Sequence, residues 1–201
     1  CENLTEVTLP SNLKILSQDI FAHCKSLENI YLPEGLEVIE DDAIASCNKL
    51  EYITIPNSVR TIGERLCRNA IKHLSISENI TFISAKALTG NNLESIEVST
   101  ENTTYDSRDN CNAVIETDTD TLIAGCVYTV IPKSIKMIAD NAFHHCIGLK
   151  NIVIPEGVLS LGNNAFCECT HLEYIDIPNS VIQIKDEAFM NCDMLDSIIL
   201  P

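Results

Sequence analysis
Apolar residues recur along this chain at a fixed step, with polar residues filling the same places between them. The unit that begins at Leu149 reads LKNIVIPEGVLSLGNNAFCECTH, and the next, from Leu172, reads LEYIDIPNSVIQIKDEAFMNCDM. Counted back from each proline, the first and third residues are apolar, which is the period-two pattern of a strand with one buried face. Proline then closes the strand. Pairs such as Glu34-Gly35, Asn57-Ser58, Glu156-Gly157 and Asn179-Ser180 follow it, and they predict a turn with proline in its second position. Apolar residues three and six places past the proline (Val59 and Ile62, Ile135 and Ile138, Val158 and Leu161, Val181 and Ile184) predict a short second strand. Ten and eleven places past it stands an Ala-Phe pair or its substitute: Ala43-Ile44, Ala87-Leu88, Ala142-Phe143, Ala165-Phe166, Ala188-Phe189. That pair reads as a helical turn dropping a large side chain into the core, so each coil has three sides.

The seven prolines, Pro10, Pro33, Pro56, Pro132, Pro155, Pro178 and Pro201, are separated by 23, 23, 76, 23, 23 and 23 residues. A period of this size marks a solenoid, in which each unit buries its apolar face against its neighbours. The 76-residue gap parses once Ser77 and Ser99 are given the proline position, with steps of 21, 22 and 33. Two coils are trimmed and one carries ten extra residues. In that long unit, 113–117 and 121–125 are β-prone runs joined by Asp118, Thr119 and Asp120, a β-hairpin within an insertion over 102–126. Opposing 117 with 121 brings Cys111 near Cys126, making them a possible disulfide. The alternative is two packed thiols.

The pattern L-x-x-I-x-I-P-x-x-V-x-x-I-x-x-x-A-F-x-x-C closely resembles the bacterial BspA-like leucine-rich repeat family, and the resemblance covers the whole chain. It implies an α/β repeat solenoid, a right-handed leucine-rich-repeat coil. That coil has a parallel β-sheet, short second strands, short helical or 3-10 turns and one β-hairpin insertion. The hairpin resembles one that projects from or covers one side of the solenoid in many such proteins. The resemblance also implies a surface-exposed or secreted protein that binds other molecules. Residues 1–201 then form a single solenoid; because "CENL" matches "CKSL" and "CNKL", the chain starts in mid-repeat and is expected to be a fragment of a longer array. The same match makes Cys1 a repeat position rather than a lipidated N-terminus.

Composition narrows the function. With 13 basic against 29 acidic residues the net charge is −16, and no Lys/Arg cluster offsets it, which excludes a phosphate-tracking role on nucleic acid. No run of 18 apolar residues is long enough for a membrane span, and the first residues carry no signal-peptide pattern. Six of the ten cysteines (Cys1, Cys24, Cys47, Cys146, Cys169, Cys192) share one phase, fourteen places past a proline. A thiol recurring once per coil reads as a small packed hydrophobe. Cys67, in the Phe position of its coil, reads the same way.

His144 and Cys167 also share a phase, with His145 and His171 nearby. Lacking paired C-x-x-C spacing, they read as solvated side chains on a coil edge, and no metal or cofactor is assigned. Asp118 and Asp120 read as turn residues rather than calcium ligands. No catalytic or phosphate-binding motif occurs, so the chain is expected to be a non-enzyme.

The remaining functional signal lies two and four places before each proline, where outward residues tile one face. It includes Tyr31, Tyr52, Thr54, His73, Glu97, Tyr128, Asn151, Tyr174 and Asp176, with four of the chain's five tyrosines. Tyrosine suits interfaces because its ring buries area while its hydroxyl stays wet, although it also suits strands. The expectation is a non-enzymatic binding or adhesion module that recognises a host or cell-surface protein through this face. The rivals are a carbohydrate-binding module and a structural spacer.

Overall fold
The computed structural model describes residues 1–66, 71–90 and 93–198, and it is a β-solenoid of about eight turns. Cys67 lies outside the described residues. The N-terminal half carries β1 (Glu6–Thr8), β2 (Ile15–Leu16), β3 (Asn29–Tyr31), β4 (Val38–Ile39), β5 (Thr61–Ile62), β6 (His73–Ile76), β7 (Phe82–Ile83) and β8 (Ser95–Val98). The long unit contributes β9 (Tyr105–Asp106), β10 (Ala113–Glu116) and β11 (Thr121–Gly125). The last coils carry β12 (Met137–Ile138), β13 (Asn151–Val153), β14 (Ser160–Leu161), β15 (Tyr174–Asp176) and β16 (Gln183–Ile184).

First strands pair in parallel with first strands and second with second. The register is offset by 23 in β1–β3 and β12–β14, by 21 in β5–β7 and by 22 in β6–β8, which bears out the two trimmed coils.

The turn after each first strand differs from expectation in one respect. The N–H of Leu13, Leu36, Val59, Ile135 and Val181 donates to the carbonyl of the proline three residues earlier at 3.1 Å, so proline is the first residue of the turn. Its contribution is a carbonyl, which serine supplies equally: Asn102 N–H donates to Ser99 O at 3.0 Å. Serine adds a donor that proline lacks. Ser99 N–H reaches Ile76 O at 2.9 Å, and β6 and β8 run four residues where β1, β3, β13 and β15 run three.

The third side is not helical. Among the described residues the only helix is the 3-10 turn Arg108–Asn110. Elsewhere the residues nine and thirteen places past the proline are left-handed, among them Asp19 and His23, Asp42 and Ser46, Asn141 and His145, and Asn164 and Glu168, all with φ between 54° and 62°. This alternation turns every second N–H toward the next coil: Asn141 to Asn163 O, Phe143 to Ala165 O and His145 to Cys167 O, at 2.8–2.9 Å. The residues between them close turns inside their own coil, as His144 N–H does on Asn141 O at 3.0 Å. Asn and Asp tolerate this backbone better than most residues.

The Ala-Phe expectation holds at the level of packing. Phe143 and Phe166 are fully buried and stack at 5.0 Å, and Phe166 stacks on Phe189 at 5.5 Å.

The cysteine ladder lies beside this stack as free thiols. Three of these S–H groups reach a carbonyl one coil back: Cys47 to Phe21 O at 3.3 Å, and Cys169 to Phe143 O and Cys192 to Phe166 O at 3.1 Å each. Burial pushes the Cys47 and Cys192 thiols up to about 11 and that of Cys146 to about 12, and raises Cys169 as well. The folded state therefore holds these protons more tightly than the unfolded chain, whose thiols ionise from about pH 9. The stability this gives is complete below about pH 9 and is lost as pH rises through 11, by up to about 1.4 kcal/mol per pH unit for each such thiol. Thermal melts at pH 7 and pH 10.5 are expected to show an alkaline loss that is smaller in a Cys47→Ala, Cys146→Ala, Cys169→Ala variant; an equal loss would contradict it.

The inserted hairpin occupies a place that the resemblance did not imply. β10 and β11 are antiparallel with Glu116 opposite Thr121, and β11 then pairs in parallel with β12, taking the position of a second strand in the sheet β16-β14-β12-β11-β10-β9. Its side chains divide between two hydrophobic clusters. Val114, Ala124 and Cys126 pack with the N-terminal coils, while Cys111, Ala113, Ile115 and Leu122 pack with the C-terminal coils. The hairpin is thus buried between two cores rather than lying over one side. Gly125 is required there, since a Cβ would fall 2.1 Å from the Phe143 ring.

At the outer end, Arg108 donates to Asp106 at 2.5 Å and to Asp120 at 2.6 Å. Burial pushes the Asp106 carboxyl up, but the hydrogen bonds from Arg108 and Thr117 outweigh it and hold it below the usual carboxylate range. Asp120 is a partner of Arg108, in keeping with its reading as a turn residue.

The possible disulfide is not formed. Cys111 and Cys126 are separate buried thiols. Cys126 donates to Asn112 O at 3.3 Å, while Cys111 lies 3.9 Å from both Ala113 O and Ser107 Oγ. Glu116 rather than 117 is opposite Thr121, but beyond the register shift between Val114 and Ile115 the pairing of Ala113 with Gly125 is the expected one, so register does not keep the two thiols apart.

Candidate functional site
All nine residues expected on the strand face are exposed. Strand alternation does this directly: in β3, β13 and β15 the central isoleucine is buried and its two neighbours point outward. Tyr31, Tyr52 and Tyr174 are 54, 67 and 53 % exposed, and Tyr128 is 62 %. These rings are not required by the core.

The structure does not bring the nine together as one ladder. First-strand pairing runs from Tyr52 to His73 and on through β6 and β8, and it resumes only at β13 and β15. Between them the chain is occupied with the hairpin. Val127 N–H donates to Leu93 O at 3.1 Å and Val130 N–H to Cys111 O at 3.0 Å, so Tyr128 stands on a turn rather than on the expected strand. The face therefore divides into an N-terminal group (Tyr31, Tyr52, Thr54, His73, Glu97) and a C-terminal pair of strands carrying Asn151, Tyr174 and Asp176. In the latter, Asn151 stands opposite Tyr174 and Val153 opposite Asp176.

The N-terminal group is the more structured. Tyr52 and His73 stack with ring centroids 6.3 Å apart, and His73 Nδ1 lies 2.7 Å from Ser95 Oγ. Three successive coils thus hold one another's outward side chains, lowering the entropy lost when a partner docks. A depression of about 360 Å³ runs between Tyr31 and Tyr52 and is closed by Glu34, Thr54 and Pro56. A second, of about 340 Å³, adjoins it at Thr54 and is lined by Asn57, Ser75, Glu97 and Ser99. A third, of about 470 Å³, lies on the far side of Tyr52 among Glu28, Asn48, Lys49 and Glu51.

The charge on these walls is negative. Lys49 is paired with Glu28 at 3.2 Å and Lys72 with Glu94 at 3.1 Å, leaving Glu34, Glu51 and Glu97 to set the sign. Sequence reasoning placed the strand residues but missed Asn57, Glu34, Glu28 and Glu51. Glu34 and Asn57 sit in the turns that follow the strands, and Glu28 and Glu51 in irregular backbone just before them, where alternation says nothing about direction.

The histidine and cysteine edge also differs from expectation. Cys167 is 1 % exposed, and His144 and His145 are half-buried, so only His171 of this group is solvated.

Comparison with known proteins agrees with the geometry. The family profile described as "BspA type Leucine rich repeat region" matches in six copies over residues 1–113 and 125–201, leaving out the hairpin between them. No curated protein sequence matches. Among solved structures, a leucine rich cell surface protein from Faecalibacterium prausnitzii is similar at 22 % identity and TM-score 0.65, over 97 % of this chain and 66 % of its own. A leucine-rich repeat protein from Eubacterium ventriosum is similar at 19 % identity and TM-score 0.64, over 98 % of this chain and 73 % of its own. The pneumococcal vaccine antigen PcpA is similar at 22 % identity and TM-score 0.60, over 89 % of this chain. The chain spans just under two thirds of the first of these and 40 % of PcpA. Identities this low show the shared fold.

Proposed function
This chain belongs to the BspA-type leucine-rich repeat family, and from that premise we propose that it is a non-enzymatic binding module of a surface-exposed or secreted bacterial protein. Its partner is a host or cell-surface protein, and the contact is made by the N-terminal group on the strand face. Leucine-rich repeat proteins generally bind proteins and are typically non-enzymatic. One observation carries the choice of surface: Tyr31, Tyr52, Thr54 and Glu97 line adjoining depressions, and Tyr52 and His73 beside them are held by contacts across coils. Rigid exposed aromatics beside depressions are what interface hot spots are built from. The acidic walls favour a partner segment bearing Lys or Arg, whose approach they speed. The described residues include no helix long and apolar enough to cross a membrane. A neighbour of similar fold is named as a cell surface protein, which supports the same compartment.

The test is selection of displayed peptides on the chain, followed by binding to Tyr31→Ser, Tyr52→Ser and Tyr174→Ser variants. Truncating one central aromatic is expected to weaken binding by about 2 kcal/mol, roughly thirtyfold. The loss should appear with Tyr31 and Tyr52 and not with Tyr174. Equal binding by all variants would remove the assignment, and retention of an arrayed glycan with no peptide selected would favour the carbohydrate reading.

A further inference from the structure
We propose that His144, Cys167 and Glu168 form a binding site for a borderline-soft divalent cation of the Zn²⁺ class on the turn side of the solenoid. A ring nitrogen of His144, the Sγ of Cys167 and a carboxylate oxygen of Glu168 all lie within 4.8 Å of one another. Imidazole, thiolate and carboxylate together are a donor set suited to zinc.

The repeat itself builds the arrangement. His144 and Cys167 stand twelve places past Pro132 and Pro155, and His145 and Glu168 follow them in the next phase. The backbone bond from His145 N–H to Cys167 O, 2.8 Å long, locks the two coils in register. His145 and Glu168 are both left-handed, at φ 59°. Their side chains meet as well: Glu168 Oε2 lies 2.8 Å from His145 Nδ1. One carboxylate oxygen is thereby oriented by His145 while the other stays available to a metal, the arrangement in which a neighbour steadies a ligand and tunes its basicity.

Nothing in the packing pattern asks for these side chains. The equivalent twelfth position is Ala22, Ala45, Thr89 and Met190 in other coils. Cys167 also stands outside the phase of the thiol ladder, in which Cys169 and Cys192 donate to carbonyls. A depression of about 340 Å³ is lined by His144 and His145 and borders the cluster on its histidine side. Arg65 on its wall is already neutralised by Asp42 and Glu64. The remaining cation on that wall, Lys86, faces a chain whose net charge is −16.

Metal bonds of about 2.0–2.3 Å require the donors to close in from their present spacing by side-chain rotation, with water as the fourth ligand. As the S–metal bond forms, the Cys167 thiol proton leaves to solvent. Because that proton must leave for the bond to form, affinity rises with pH. This inference does not depend on the strand face.

The experiment is titration of the reduced chain with Co²⁺ followed optically, then competition with Zn²⁺. One equivalent of Co²⁺ is expected to produce a thiolate-to-cobalt charge-transfer band that Zn²⁺ removes. Cys167→Ala should abolish the band, and Cys146→Ala on the thiol ladder should leave it. Glu168→Gln, at a half-buried position where folding is not at risk, should weaken Zn²⁺ affinity at least about tenfold. A band absent at one equivalent, a band surviving Cys167→Ala, or unchanged affinity in Glu168→Gln would each overturn the proposal.

Discussion

Replacing Ile115 by Asp is expected to abolish the cooperative thermal transition at ordinary growth temperatures. Ile115 is fully buried, lies opposite Leu122 in the hairpin and belongs to the C-terminal cluster, while its neighbour Val114 belongs to the N-terminal one. A carboxylate there has no cation to pair with inside an apolar layer, and an uncompensated buried charge costs several kcal/mol. The loss should exceed about 4 kcal/mol, a large share of the 5–15 kcal/mol that stabilises a typical domain. Denaturant unfolding followed by circular dichroism reads it directly. If the hairpin only covered one side of a solenoid that stands without it, the variant would lose the hairpin's own contacts and keep the main transition.

Truncating Phe166 to Ala should cost about 3–5 kcal/mol. Its ring is fully buried between Phe143 at 5.0 Å and Phe189 at 5.5 Å, with ring planes within 8° of parallel, so removal opens a cavity that two coils border. For a chain of this size each kcal/mol shifts Tm by roughly 2–4 °C, giving a fall of about 10 °C. Phe82→Ala is the matched control, since Phe82 is more than half exposed on β7. Substitutions at such positions move stability by no more than about 0.5 kcal/mol. Equal shifts for the two variants would mean that the stack contributes nothing.

Much of this fold was legible because a solenoid writes its pitch into the chain. The steps of 21 and 22 read from Ser77 and Ser99 reappear as the pairing offsets Thr61 to Phe82 and His73 to Ser95. The buried phases, from the isoleucines before the prolines to the Ala-Phe pairs, fall where hydrophobicity placed them. What escaped was what hydrophobicity does not encode. Proline's place in its turn depends on a carbonyl that every residue carries, so composition could not distinguish first position from second. The spacing on the third side suggests a helical turn, because an Ala-Phe pair at a fixed phase does not distinguish a helix from alternating left-handed turns. Its polar residues Asp19, Asp42, Asn141 and Asn164 recur in one phase and carry positive φ, and Asp and Asn in phase are a cue for left-handed backbone.

The insertion was recognised from its β-prone runs, but its depth was not. Strand runs such as AVIE and TLIAG, apolar on both faces, are the mark of a strand buried on two sides, and that reading excludes a projecting hairpin. The strand face divided for the same reason: the chain that would have continued it at Tyr128 is spent on joining the hairpin to the next coil. The two thiols near the hairpin's open end stay separate although the pairing of Ala113 with Gly125 is the one expected, because Cys126 is turned to the Asn112 carbonyl, a choice of acceptor that no side-chain pattern announces.

The surface assigned to recognition is tested most directly by nuclear magnetic resonance mapping of a selected peptide onto the chain. Shift changes on binding are expected to cluster on Tyr31, Tyr52, Thr54, His73 and Glu97, with the resonances of Asn151, Tyr174 and Asp176 unmoved. Changes confined to the turn side, or to the C-terminal strands, would contradict the account.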